Sequence, residues 1–345
     1  NGFVPGEDGI GYLFTNWEDR PGLVSRLTLE ATGQTGGWRV VDATNVDFTP
    51  VDGTWTNCFG TVSPWNTPLS AEELYFDDTS QWNNPEYGDV DGVESLAAHL
   101  GHYPNPYRYG QIVEITEPAS DEPTPVSHFS MGRFSHENSV VMPDGRTVYL
   151  SDDGTGTVFF KFVADEAGDL SSGTLSAATV AQDDGSAVDT VGFDLDWVEL
   201  AHGTDEDIES WVAEYDGITQ DDYTEGGTNY ISDGEVESWA AGEADDDRAA
   251  FLESRKAAEA VGATAEFRKM EGVNVARNAK PGDYLYMAMS AVGRTMSDGT
   301  GDIRLEENGY GAVYRLPLEA GYDVSRMEPA LSLIHISEPT RLRRI

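Results

Sequence analysis

The sequence predicts an all-β fold, a β-propeller interrupted by long loops and one helical insertion, and three observations carry that reading. Four segments repeat one pattern, a small residue followed by period-2 apolar alternation: "GLVSRLTLE" (22–30), "YGQIVEIT" (109–116), "GTVFFKFV" (156–163) and "YGAVYRLPLE" (310–319). Three of these are preceded by a second short strand, "IGYLFTN" (10–16), "RTVYLSDD" (146–153) and "DYLYMAMS" (283–290). The turns carry Gly and Asp, as at Asp153-Gly154, which predicts a tight hairpin. Short strands recurring with loops of variable length suit small sheets repeated around an axis.

In chain order, residues 10–30 read as the first hairpin, 109–116 as the outer strand of a further blade, 146–163 as another hairpin, and 283–319 as the last pair. The stretch from about 203 to 262 departs from the pattern. In "DDDRAAFLESRKAAEAVG" (245–262) the apolar residues Ala249, Leu252, Ala257, Ala258 and Val261 follow acids and end at Gly262, which predicts one amphipathic helix. Its Ala-rich face is expected to pack on the propeller. Residues 1–331 are therefore read as one domain with a helical insertion.

The ends read differently. "LSLIHISEPTRLRRI" (331–345) brings Arg341, Arg343 and Arg344 after a long acidic stretch and resembles a translated sequencing adapter. Residues 332–345 are expected to be an artefact, with the native C-terminus absent and the closing blade incomplete. The chain begins at Asn1 with no initiator Met and no apolar leader, so an export signal is expected to be missing from it.

Composition excludes several partners. Against 21 Lys and Arg stand 62 Asp and Glu, a formal charge of −41, so the mean field repels nucleic acid and anionic membranes. With 39% hydrophobic residues the chain is not of disordered type. No run reaches the roughly 18 apolar residues of a membrane span. The only lysines are Lys161, Lys256, Lys269 and Lys280, and an acidic, arginine-biased surface points to high salt and a halophilic source. One cysteine cannot form an intrachain disulfide.

That cysteine, Cys58, opens "NCFGTVSPWNTPLSAEE" (57–73). Alone it reads as a small buried hydrophobe or as a soft metal ligand beside hard carboxylates. Glu72 and Glu73 fit a capping box begun by Ser70 or a ligand pair. His136-Glu137 stand just before a strand, Glu271 is flanked by Arg268 and Lys269, and Asp152-Asp153 read more readily as a turn than as a calcium loop.

The 57–73 segment resembles the signature of PhoX-type alkaline phosphatases, with Cys58, Gly60, Pro64, Trp65, Thr67, Leu69, Glu72 and Glu73 at matching offsets. "GRFSHE" (132–137) and "KMEG" (269–272) resemble two further motifs, and "NWE" (16–18) a variant of an early one. The similarity spans roughly residues 10–320. It implies a six-bladed propeller, usually exported to the cell surface or beyond, that hydrolyses small phosphate monoesters with Fe3+ and Ca2+. By position it implies Cys58, Glu72, Glu73, Glu137 and Glu271 as metal ligands and Lys269, with Arg268 beside it, at the phosphate. Ala71 stands where the family has a second cysteine. A monomer is expected, with no nucleic-acid or membrane partner. The competing readings are a calcium-dependent propeller hydrolase acting on a lactone or phosphodiester and a noncatalytic calcium-stabilised binding module.

Overall fold

Where the sequence alternates, the chain forms strands in the computed structural model, which describes residues 1–332. β1 (Gly2–Pro5), β2 (Ile10–Trp17), β3 (Leu23–Ala31) and β4 (Trp38–Asn45) join in chain order into one antiparallel sheet. β5 (Asn57–Val62), β6 (Pro68–Glu72), β7 (Ile112–Thr116) and β8 (Thr124–His128) form a second in the same way. A third meander comprises β9 (His136–Val141), β10 (Thr147–Asp152), β12 (Phe160–Glu166) and β13 (Asp169–Gln182), with a short β11 (Thr155–Thr157) between β10 and β12. β14 (Phe193–Thr204) pairs with β13, and a two-residue β15 (Phe267–Arg268) pairs with β11. The fourth meander is β16 (Gly272–Val275), β17 (Tyr284–Met289), β18 (Ala312–Pro317) and β19 (Arg326–Ser332). β14 also pairs with β19, fusing the third and fourth meanders into a nine-stranded sheet.

The all-β, propeller-like expectation holds. The four repeated segments are β3, β7, β12 and β18, each the third strand of its meander. A third strand has neighbours on both sides, so its alternation is enforced by packing rather than relaxed at an edge. In β4, the edge strand of the first sheet, every residue is exposed.

Two local expectations are corrected. β10 and β12 do pair, with Leu150 opposite Phe160, but no tight turn forms at Asp153-Gly154. Residues 153–159 instead loop outward, Asp153 N–H donates to Ser135 O at 2.9 Å, and β11 is captured by β15. The single helix over 245–262 is two, α4 (Arg248–Leu252) and α5 (Ser254–Ala260), after α1 (Val90–Leu100), α2 (Asp205–Ala213) and α3 (Asp233–Ala240), with the labels following chain order. The break falls at Glu253, whose backbone is non-helical. Its fully buried carboxylate accepts from Thr79 Oγ1 at 2.5 Å and Tyr107 OH at 2.9 Å, and this tertiary tie overrides the helical pattern. The expected apolar face does pack on the sheets: Ala249, Phe251, Leu252, Ala257 and Ala258 share a core with Phe160, Phe162 and Leu175. Burying side chains such as Phe251 and Leu252 stabilises the attachment by about 1.5–3 kcal/mol each.

The adapter-like segment from Leu333 onward lies outside the described residues. Ser332 lies within β19, where it pairs with Ala312 and accepts a hydrogen bond from Asn308 Nδ2 at 3.1 Å. No helix among the described residues is long and apolar enough to cross a membrane.

Candidate metal centre

Strand ends build the site. Glu18, Glu73 and Asp153 directly follow β2, β6 and β10, while Cys58 and Glu137 are the second residues of β5 and β9. Because β5 runs antiparallel to β6 and β9 to β10, these positions fall at the same end of their sheets. Backbone hydrogen bonds lock the segments together. Thr56 N–H donates to Asp19 O and Glu73 N–H to Thr56 O, both at 3.1 Å, and an isolated bridge links Glu73 to Ser135. Lys269 N–H donates to Gly154 O at 3.0 Å, which brings the 269–271 loop alongside. Lys269 adopts φ 51°, a left-handed conformation uncommon for a side-chain-bearing residue.

The side chains converge accordingly. One donor atom each from Glu18, Cys58 and Glu73 lie within 4.8 Å of one another, as do one each from Glu73, Glu137 and Asp153, so Glu73 is shared by two adjoining groups. Cys58 Sγ donates to Glu137 Oε1 at 3.3 Å. Lys269 Nζ lies 2.6 Å from Asp153 Oδ2 and 3.5 Å from Glu271 Oε1, and Ser290 donates its hydroxyl to Glu271. The second oxygen of Asp153 is buried without a partner among the described residues.

This density of acid raises proton affinity. Burial, and then the charges of Asp153 and Glu18, push Glu73 up to about 7. Burial, then Glu73, Asp153 and Glu271, push Glu137 up to about 8 against the opposing bond from Cys58. The Cys58 thiol is held far above its ordinary value by burial and by Glu137. Burial lowers Lys269, but the bond and charge of Asp153, with Glu271 and Glu73, outweigh it and the ammonium is stabilised. Like-charged oxygens crowded away from water, together with one thiol, form a donor set that a multivalent cation relieves by displacing protons. Soft sulfur suits a transition ion and the carboxylates suit calcium, so the residues present fit both Fe3+ and Ca2+.

Not every expected residue joins the group. Glu72 is turned away and 1% exposed, accepting from Thr54 Oγ1 at 2.7 Å, Trp55 N–H at 2.9 Å and Gln111 N–H at 3.1 Å. It braces the loop before Cys58, because successive residues of a strand face opposite sides. The capping-box alternative also falls, since Pro68–Glu72 is a strand. Glu271 stands at the rim beside Lys269. Arg268 makes no ion pair among the described residues; its guanidinium lies toward Gly293, apart from Lys269. His136 is buried and pulled down to about 3 by desolvation, its Nε2 hydrogen-bonded to Gly132 O at 2.9 Å. Sequence reasoning passed over Glu18, present in the "NWE" string, and Asp153, read as a turn residue. Their signal was position, an acid immediately after a strand. The largest cavity, about 980 Å³ and bordered by Asp52, Arg108, Val126 and Asp216, shares no residue with this group.

A β-rich, propeller-like chain with a thiol and carboxylates gathered at its strand ends defines the class. The family model described as alkaline phosphatase PhoX matches residues 20–343, and the chain belongs to that family. Among solved structures it is similar to Pseudomonas fluorescens PhoX in complex with vanadate, a transition state analogue. The TM-score is 0.64 and the identity 21%, over 95% of this chain and 65% of that one, a likeness of fold. The chain thus spans about 65% of that protein's length. A putative 6-phosphogluconolactonase from Bacteroides uniformis aligns at TM-score 0.29 and 11% identity, over 96% of this chain and 84% of that one. No curated protein matches the chain.

Proposed function

We propose that the chain hydrolyses small phosphate monoesters at a centre holding Fe3+ and Ca2+. The observation that carries this reading is the convergence of Cys58 with Glu18, Glu73, Glu137 and Asp153 beside Lys269 in a member of the PhoX family. Cys58 offers iron its soft donor, and the carboxylates, with Glu271 at the rim, offer calcium hard oxygens. When bound, the ions neutralise the acidic group and polarise phosphoryl oxygens, which admits a dianionic ester to a chain of charge −41. Lys269 holds a phosphoryl oxygen as a point charge, and its pairing with Asp153 keeps the ammonium aimed into the group. Glu72 acts through the backbone, holding Trp55 and Gln111 so that Cys58 and Glu73 face each other. Action on small soluble esters outside the cell, by a monomer, suits the family and the charge.

The test is elemental analysis of the protein purified in high salt, with turnover of an aryl phosphate monoester. Iron and calcium are expected, and Cys58→Ser is expected to lose iron with far-UV circular dichroism unchanged, a hydroxyl being a poor soft ligand. Iron retained by Cys58→Ser removes the thiol from the centre. Loaded protein that turns over no ester is a binding module.

A further inference from the structure

We infer that Arg255, on helix α5 of the insertion, is a positioning residue that clamps together the two chain segments presenting Glu73 and Asp153. The inference rests on the metal-centre reading above. Arg255 Nε donates to Asp152 Oδ2 at 2.8 Å, and Nη2 donates to Asp152 Oδ1 and, at 3.1 Å, to the carbonyl oxygen of Asp153. The same guanidinium lies 3.8 Å from the ring centroid of Tyr75, two residues after Glu73. One planar group therefore grips the Asp153 backbone by hydrogen bonds and the Glu73 segment by stacking.

The grip is rigid at both ends. Asp152 is fully buried and also accepts from Val158 N–H at 3.2 Å, so it has no second rotamer to offer. On the helix side, Ser254 is fully buried, its Oγ accepting from Arg133 N–H at 3.0 Å and donating to Ala250 O at 2.7 Å, while Ala257 and Ala258 sit in the core. The neighbouring Lys256 points elsewhere and pairs only with the exposed Asp233. Fork geometry and stacking are properties of a guanidinium that an ammonium lacks. The helical insertion thus sets the spacing of two carboxylates that lie outside it. A cation bound between them requires that spacing, because groups that orient metal ligands govern affinity without touching the ion.

The experiment is a luminescence titration of the cation-free full chain with terbium ion as the probe. Arg255→Lys, and the charge-balanced pair Asp152→Asn with Arg255→Gln, are expected to bind terbium about tenfold more weakly. The balanced pair leaves no buried unpaired charge, so its far-UV circular dichroism is expected to match the wild type. Lys256→Ala is expected to bind as the wild type does. A balanced pair that folds and binds within twofold of the wild type overturns the clamp alone. Terbium binding by the wild type that survives Asp153→Asn, or no binding at all, overturns the metal-centre reading and the clamp with it.

Discussion

Glu137→Gln is expected to change the sign of its effect with conditions. In the cation-free protein the folded carboxyl takes up its proton at about 8, because burial and then Glu73, Asp153 and Glu271 disfavour the charge, against an ordinary value of 4.5 in the unfolded chain. The folded state therefore binds more protons, so the penalty on folding is absent below 4.5, grows as pH rises, and is complete above 8. A tenfold change in proton affinity is worth about 1.4 kcal/mol, which places the penalty at a few kcal/mol, and solvent screening at the open side reduces it to about 2 kcal/mol. Gln removes the charge and still accepts from Cys58. In chelator, calorimetry should find Glu137→Gln more stable than the wild type by about 2 kcal/mol at pH 9, a rise in Tm of about 3–6 °C, and equal to it at pH 4. With calcium added the order should invert, since the wild type alone converts repulsion into ligation. A variant less stable than the wild type at pH 9 in chelator would refute the argument, by showing that the carboxylate is stabilised by its surroundings rather than strained.

Three further outcomes are expected. Lys269→Ala should raise KM and lower kcat for an aryl phosphate, whereas Arg268→Ala, whose guanidinium lies toward Gly293, should leave both nearly unchanged; the reverse pattern would place Arg268 at the phosphate. Glu72→Ala should cost about 3 kcal/mol by orphaning the buried N–H groups of Trp55 and Gln111. Iron and calcium content should be unchanged in the folded fraction, and metal lost at unchanged Tm would make Glu72 a ligand. His128 is buried between Asp205 and Glu114, at 2.9 and 3.0 Å, and although burial lowers its proton affinity these bonds prevail and raise it to about 9. Its contribution is complete below the unfolded value of 6.5 and is lost as pH rises through 9, so the stability difference between wild type and His128→Gln should shrink over that window. A difference constant across it would mean that the imidazole is neutral throughout.

What the sequence by itself determined about this protein was whatever neighbours along the chain can encode. Alternation in residues 22–30, 109–116 and 310–319 marked strands because a third strand, packed on both sides, must alternate. The Cys58 to Glu73 spacing was legible because β5 and β6 form one hairpin, so both side chains are placed by local pairing. Tertiary structure decided the rest. Glu18 joins Cys58 through the bond from Thr56 to Asp19, and Asp153 joins Glu73 through Ser135, contacts between segments far apart in sequence. Glu72 and Glu73 parted because the strand gave one of them to the interior, and the helix over 245–262 broke because Glu253 found buried partners in Thr79 and Tyr107. A local pattern specifies the direction of a side chain relative to its own strand. Which carboxylates share a site depends on how separate meanders meet, and that is settled by long-range backbone pairing and by the guanidinium of Arg255 bridging Asp152 and Tyr75.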